Sequence, residues 1–435
     1  MPSPTQDYSP GYKHFVLAML TVVYAFNFID RQILVILQEP IKADMGLSDA
    51  QLGLLSGFSF AIIYVTAGIP IAYWADRGNR RNIVSLALTV WSGMTAVSGL
   101  VQNYAQLLLA RIGVGLGEAG GSPPSHSMIS DYYSPEQRAT ALSVYSTGIY
   151  IGIMFGFLFG GAIADAFGWR MAFFIVGVPG VIFAILLRLT VKEPQRGRWE
   201  QAAEAAHKPS LRETIALLKR LRAFWYIAIG GSMTAFVSYG NGNFLPSFLI
   251  RSHGMSLTEV GIALALVSGV AGSLGTFLGG YLGDKLAHRD RRWYLWLPIL
   301  GALIAYPPYL WVLITDQTMP ALFMLALVQL LSTFYLGPSL AMSHALVPPA
   351  MRALTSAVLF FVLNMIGLGM GPFFVGLVSD LLSAQFGDDS LRYSMLICAQ
   401  FGVIGIIAFW LASRCLLEDL GAQEQEALAR TRADS

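Results

Sequence analysis

Four charged residues stand inside otherwise apolar runs of this 435-residue chain: Asp30 and Arg31 in YAFNFIDRQILVIL, and Arg111 and Glu118 in LLLARIGVGLGEAGG. Two carboxylates beside two guanidinium groups suit proton transfer. A carboxylate's charged form is favoured next to an arginine, and its neutral form once that partner is lost or water is excluded. In hydrocarbon each such charge costs about 2.5–3.5 kcal/mol on insertion scales, so it is rarely kept without use. Arg111 and Glu118 are seven residues apart; at about 100° per residue they share one helix face. Gly113 and Gly117 between them permit a neighbouring helix to come close. Glu118 is the first candidate for a proton carrier and Asp30 the second, with Arg31 and Arg111 as charge partners and substrate contacts. The alternative is a static core cluster in which the four neutralise one another. Against it, the apolar runs of the second half carry no Asp, Glu, Lys or Arg in their interiors, Asp380 lying at a helix end.

The elements that position such charges are membrane helices. Charged residues are 12% of the chain and hydrophobic ones 55%, about half the ~25% charge of a soluble domain, and mean hydropathy is +0.58. Spans of about 20 apolar residues fall at 14–36, 51–74, 82–102, 106–129, 139–164 and 170–190. A second set falls at 223–250, 258–283, 293–315, 320–346, 353–381 and 392–414. The expected fold class is therefore an all-α membrane protein of twelve transmembrane helices in two six-helix bundles, 1–190 and 223–415. A cytoplasmic amphipathic linker, 191–222, carries Leu211, Ile215, Leu218 and Leu221 at helical spacing, and 416–435 form a cytoplasmic tail. With both termini in the cytoplasm, 22 of the 28 Lys and Arg residues fall in cytoplasmic segments and only Lys42, Arg170, Arg251 and Arg392 face outside, as the positive-inside rule requires. The first apolar run is too long for a removable signal peptide. A net charge of +2 without basic-aromatic tracts points away from nucleic acid. Cys398 and Cys415 have neither CxxC spacing nor metal-ligand partners.

The chain repeats itself at long period. PEQRATALSV at 135–144 parallels PAMRALTSAV at 349–358, and Gly152, Gly161 and Asp165 correspond to Gly367, Gly376 and Asp380. The loop AYWADRGNRR at 72–81 has a looser echo in GYLGDKLAHR at 280–289. Six spans plus six in parallel repeat is the architecture of the major facilitator superfamily. The 72–81 loop resembles that superfamily's loop signature, with Asp76, Arg77, Arg80 and Arg81 matching and Ala72 and Asn79 departing from its glycines. The resemblance implies that these residues, with Asp284 in the echo, form a gating loop whose charge contacts hold the cytoplasmic side shut. NFIDRQ at 27–32 and RIGVGLGEA at 111–119 resemble the Spinster-like branch, which carries an Asp-Arg pair in the first helix and R-x-x-x-G-x-G-E-A in the fourth. The anion:cation symporter branch also has an Asn-x-x-Asp-Arg type first helix.

Spinster-like proteins are associated with lysophospholipids and sphingosine-1-phosphate-like lipids, so the resemblance implies a proton-coupled secondary transporter of amphipathic lipids. Arg31 and Arg111 would take the head group. Tyr239, Asn241, Asn243, Tyr335 and Asn364 are further possible substrate contacts, with interhelical hydrogen bonding as their competing use. A proton-coupled symporter of small organic anions such as sugar acids is the alternative; a receptor or channel would leave the buried carboxylates without a role. The chain is expected to be a monomer in the bacterial inner membrane, not an enzyme, with no cofactor and no metal. No G-x-x-x-x-G-K-[ST] is present to bind ATP. The glycine runs GVGLGE and GLGMGP lie inside apolar spans and serve helix packing. His126 and His344 have no second ligand at metal spacing, and Pro123 and Pro124 would kink or end the fourth span.

Overall fold

The computed structural model describes residues 8–199 and 210–433, and only the backbone of 211, 349 and 422–433. No strand occurs among the described residues. The helices are α1 Pro10–Ile36, α2 Gln38–Met45, α3 Asp49–Ser56, α4 Phe58–Arg77, α5 Arg80–Ser98, α6 Tyr104–Glu118, α7 Ser122–Tyr132, α8 Pro135–Phe167 and α9 Trp169–Thr190. There follow α10 Leu211–Leu218, α11 Arg222–His253, α12 Leu257–Leu264, α13 Gly272–Ala287, α14 Trp293–Ile314, α15 Thr318–Ser332, α16 Leu336–Ala345, α17 Arg352–Leu363, α18 Gly371–Phe386 and α19 Ser390–Ala433. Two joints are π-helical, Ala265–Ala271 between α12 and α13 and Asn364–Met370 between α17 and α18, and Thr333–Tyr335 is a 3₁₀ turn between α15 and α16.

Among the described residues, eight helical stretches are long and apolar enough to cross a membrane by length and composition. One of them, Arg352–Gly421, covers two expected spans, so seven stretches with one span each and this one account for nine of the twelve. The other three, 82–102, 106–129 and 223–250, are helical as α5, α6 with α7, and α11. The helices α6 and α7 are 15 and 11 residues long, each too short to span alone, while polar residues such as Arg80, Arg81 and Asn82 in α5 and Asn241 and Asn243 in α11 lower the hydropathy of those two; α6 carries the candidate charges and α5 their partner Ser92. Leu189, Phe323 and Ile69 are more than 70% exposed, as side chains that meet lipid rather than water would be.

The chain forms two compact units, Met1–Glu204 with Leu249–Val270, and Ala205–Phe248 with Ala271–Ser435. In the first, α1 lies along α8 on a stripe of glycines at every fourth position. A Cβ on Gly152 would sit 2.4 Å from the Ala25 carbonyl oxygen, and one on Gly156 2.8 Å from Gln32 Cβ. Only backbone fits there, so the two helices touch main chain to main chain. In the second unit the repeat partners do the same work: a Cβ on Gly367 would lie 2.5 Å from Ala235 Cβ, and one on Gly371 2.6 Å from the Phe236 carbonyl oxygen of α11. The duplication read as 152/367 is thus a duplicated helix crossing.

The single span expected at 106–129 is two helices. The α-helix ends at Glu118, residues 119–121 turn, and Pro123 and Pro124 occupy the first turn of α7, where a missing N–H costs nothing. In the linker, Ser210 and Glu213 form a capping box for α10, and Leu218 and Leu221 are buried with Phe224, Ile227 and Phe409 in the core of the second unit. Residues 200–209 of that linker lie outside the described residues.

Gly152→Ala is expected to destabilise the folded protein by about 1–3 kcal/mol through overpacking. Gly93→Ala, with nothing within 4 Å of the added carbon, should leave stability equal or slightly higher. Thermal unfolding of both variants in detergent compares them directly.

Candidate functional site

The four intramembrane charges meet inside the first unit. The α1–α8 crossing fixes the height of Asp30 and Arg31, and α6 is drawn against α5 at Gly117, where a Cβ would lie 2.6 Å from the Trp91 backbone nitrogen. That turns Arg111 and Glu118 toward α1. Arg31 Nε donates to Glu118 Oε2 at 2.7 Å, with the Arg31 side chain 19% exposed and that of Glu118 fully buried. Arg111 reaches the Asp30 main chain rather than its carboxylate, one terminal nitrogen donating to the carbonyl oxygen at 3.4 Å. Asp30 Oδ2 accepts from Ser92 Oγ of α5 at 3.3 Å. Asp30 Oδ1, Glu118 Oε1 and Arg111 Nε are buried without a formed hydrogen bond among the described residues.

Aromatic faces supply the remaining stabilisation. The Arg31 guanidinium carbon lies 4.8 Å from the Phe60 ring centroid, 5.0 Å from Phe28 and 5.3 Å from Tyr64. Arg111 lies 6.0 Å from the same Phe60 ring. A ring quadrupole attracts a cation by about 0.5–2 kcal/mol, more when desolvated. The Arg31 guanidinium is therefore held by a buried carboxylate and lies among three aromatic rings, with 19% of its side chain exposed. Phe28, three residues before Arg31, and the pair Phe60 and Tyr64, four apart, lie at same-face helical spacing. That was the available signal, but it is indistinguishable from ordinary apolar filling. Ser92 gave none.

The gating-loop residues separate. Arg80 is 2% exposed; it pairs with Asp131 and with Glu193, the latter at 2.7 Å, and donates to Ser127 Oγ at 2.8 Å and the Pro194 carbonyl at 3.0 Å. Asp131 and Glu193 were not among the sequence candidates, because residues 51 and 113 positions away in the chain give no local pattern. Glu193 Oε2 also accepts from the Arg81 main-chain nitrogen at 2.8 Å. Arg196 donates to the carbonyls of Ala75, Asp76 and Gly78, capping the end of α4. The Asp76 side chain is exposed and is not brought to Arg80, and Arg77 lies 4.0 Å over the Tyr73 ring. In the second unit Asp284 accepts from Tyr294 Oη at 2.7 Å.

Of the further candidates, Asn241 is buried and donates to the Met395 carbonyl at 3.1 Å, tying α11 to α19. Asn243 donates to the Tyr239 carbonyl one turn back in its own helix at 2.8 Å. Tyr239 is exposed. Tyr335 closes the 3₁₀ turn and Asn364 opens the π-helical stretch, two places where the helix departs from α geometry, as transporter and other functional sites often do.

Comparison with known proteins places these features. The Major Facilitator Superfamily model matches residues 20–367. An MFS-type efflux pump of Mycolicibacterium smegmatis is 36% identical over 405 residues, covering 93% of each chain. A probable L-galactonate transporter of Escherichia coli is 29% identical over 281 residues, 62% of this chain and 61% of that one. Among solved structures, a bacterial homologue of the human lysosomal transporter Spinster, inward-facing and unoccupied, superposes with a TM-score of 0.88 at 36% identity, covering 95% of this chain and 99% of that one.

Arg80→Ala should destabilise the protein by about 3–5 kcal/mol, since it leaves two carboxylates facing a buried gap. Asp76→Asn should leave the unfolding temperature unchanged, because its side chain is exposed. The two melting curves, recorded in the same detergent, separate a buried anchor from a surface charge.

Proposed function

Because the chain belongs to the Major Facilitator Superfamily, we propose that this multi-pass membrane transporter is a proton-coupled carrier of amphipathic lipids, lysophospholipid or sphingosine-1-phosphate-like, that works by alternating access. The observation that carries this reading is the ion pair of Arg31, 19% exposed, with the fully buried Glu118. An anionic head group that reaches Arg31 competes with Glu118 for the guanidinium. A buried carboxylate deprived of its cation favours the neutral form, so head-group binding and proton uptake are linked through one arginine. Arg111 adds a second positive charge, and Phe60, shared by both guanidiniums, keeps them apart and aligned. Asp30, whose Oδ2 accepts from Ser92 Oγ, is the second proton site. The membrane potential supplies about 2.3 kcal/mol per proton per 100 mV.

The second unit supports a lipid over a sugar acid. A polyhydroxylated acid needs several fixed hydrogen-bonding groups, and there Asn241 and Asn243 each donate an amide N–H to a main-chain carbonyl. An acyl chain needs none. The second reading, a proton-coupled symporter of small organic anions such as sugar acids, is favoured by the likeness to the probable L-galactonate transporter, and the same arginines would hold its carboxylate.

With the protein in liposomes enclosing a pH-sensitive dye, addition of a lysophospholipid or sphingosine-1-phosphate is expected to move protons, and Glu118→Gln to lower that flux at least tenfold. A response to a hexuronate alone would make the organic-anion reading correct. Lipid-driven flux undiminished in Glu118→Gln would move the proton to Asp30.

A further inference from the structure

Helix α5 carries hydroxyls at Ser85, Thr89, Ser92, Thr95 and Ser98, and three of them donate to carbonyl oxygens. Ser85 Oγ donates to the Ala184 carbonyl at 2.8 Å, Thr89 to that of Ser85 at 2.9 Å and Ser98 to that of Met94 at 3.0 Å. A carbonyl oxygen only accepts, so each of these hydroxyls is fixed as a donor. Ser92 differs. It is buried, and its Oγ lies 3.3 Å from Asp30 Oδ2; a carboxyl group changes its hydrogen-bonding role when it takes a proton. Thr95, three residues on, brings a second buried hydroxyl beside the same carboxyl.

Helix α9 holds Ser92 in place. A Cβ on Gly177 would lie 2.6 Å from the Ser92 carbonyl oxygen, and one on Gly180 2.2 Å from Ser92 Oγ and 2.7 Å from its Cβ. Gly177 thus seats the main chain of Ser92, and Gly180 leaves its hydroxyl the space that a larger residue would fill. The charged groups that act most on Asp30 are Glu118 and Arg111 of α6, and Arg111 reaches its carbonyl oxygen rather than its carboxylate. Helices α5, α8 and α9 carry Asp, Glu, Lys or Arg only near their ends, as Arg80 and Arg81, Glu136, Arg138 and Asp165, and Arg170 and Arg188. On α7, His126 stands edge-on to Tyr145 and Asp131 pairs with Arg80.

The two carboxyl groups of the site therefore differ in what they can do with a proton. Arg31 has donors and no acceptor, so protonating Glu118 gives up the ion pair. A serine hydroxyl is both donor and acceptor and turns about its Cβ–Oγ bond. It donates to Asp30 as a carboxylate and accepts from Asp30 as an acid. At 3.3 Å the contact is long for a hydroxyl on a carboxylate, so little holds the hydroxyl in one sense. In each exchange one proton passes between Asp30 and water: the acid O–H forms or breaks, its electron pair stays on the carboxyl oxygen, and no other covalent bond changes.

We propose that Ser92, seated by Gly177 and Gly180, is the positioning residue of Asp30, and that its reversible hydroxyl lets Asp30 take up and release a proton while the Arg31–Glu118 pair stays whole. This rests on the reading of Asp30 as a proton site. Asp30 then loads in the empty carrier, and Glu118 only when a head group draws Arg31 away. The order follows from the partners, a hydroxyl for one acid and a guanidinium for the other.

The test follows the acids themselves rather than flux. Infrared difference spectra of the full chain in lipid nanodiscs, without lysolipid, are recorded across a pH series. The carbonyl stretch of a protonated carboxyl is assigned to Asp30 by its absence in Asp30→Asn and to Glu118 by its absence in Glu118→Gln. The Asp30 band is expected to titrate while Glu118 stays charged. Ser92→Ala removes a donor to the carboxylate, whose charged form loses more than the neutral one, so the Asp30 midpoint should rise by about one pH unit, a tenfold change in proton affinity. Gly180→Ala, which keeps the hydroxyl but takes its space, should move the midpoint the same way, and Ser92→Ala with Thr95→Val further still. Ser98→Ala, on the same helix but bonded to its own backbone, should leave it in place. An Asp30 midpoint unmoved in a folded Ser92→Ala and in the double variant overturns the proposal, and so does a Glu118 band that rises together with that of Asp30 before lysolipid is added. If Ser92→Ala does not fold, Ser92→Cys, a weak donor of similar size, must show the shift. Addition of a lysophospholipid should then bring up the Glu118 band. A Ser92-dependent Asp30 midpoint with no response of Glu118 to lysolipid keeps the role of Ser92 and refutes the proposed cargo; a Glu118 response with an unmoved Asp30 midpoint does the reverse.

Discussion

A charge sealed from water inside a bilayer is tolerable only with a counter-charge at bonding distance, and the 2.7 Å contact between Arg31 and Glu118 meets that condition. The partners come from helices that are remote in the chain, α1 and α6. Their separation has to be held to a fraction of an ångström, and side-chain packing alone tolerates more play than that. The glycines of α8 against α1, and Gly117 against Trp91, remove the play by putting backbone on backbone. Rigid crossings thus surround a labile pair of charges. The proton-coupled carrier proposed above needs that combination, since its scaffold must persist while a proton comes and goes.

The two halves keep one scaffold and divide the chemistry. Gly152 and Gly367 seat their helices on α1 and α11 in the same way. The first half then adds two carboxylates, two arginines and a ring shared between the cations. The second instead breaks its α geometry at Thr333–Tyr335 and Asn364–Met370. Broken helices free main-chain groups without charge, which suits a surface that must stay largely apolar.

Between α4 and α5, Arg80 shows how a motif is completed by residues outside it. Its loop reads as a run of basic residues, yet the guanidinium is buried between Asp131 at the end of α7 and Glu193 after α9. The segment following α9 therefore ties three helix ends together, and Arg196 extends the tie to a fourth by capping α4. The exposed Asp76 side chain plays no part in this anchor; only its main-chain carbonyl does, by accepting from Arg196.

Much was legible in order along the chain. Apolar runs long enough for a bilayer, the bias of basic residues and the long-period duplication are local or periodic properties, and hydrophobicity and charge determine them before any contact forms. The four intramembrane charges were legible for the same reason, because their cost in hydrocarbon marks them without reference to neighbours. Other features depend on distance in space rather than in sequence. The break at 119–121, the aromatic cage on Arg31, the partners of Arg80 and the docking of Leu249–Val270 on the first unit are set by which surfaces interlock. The amino-acid sequence by itself determined that charges are buried in a repeated helical membrane protein. Only the tertiary structure decided which charge meets which, because an ion pair is specified by angles and tenths of an ångström between helices that composition and periodicity do not encode.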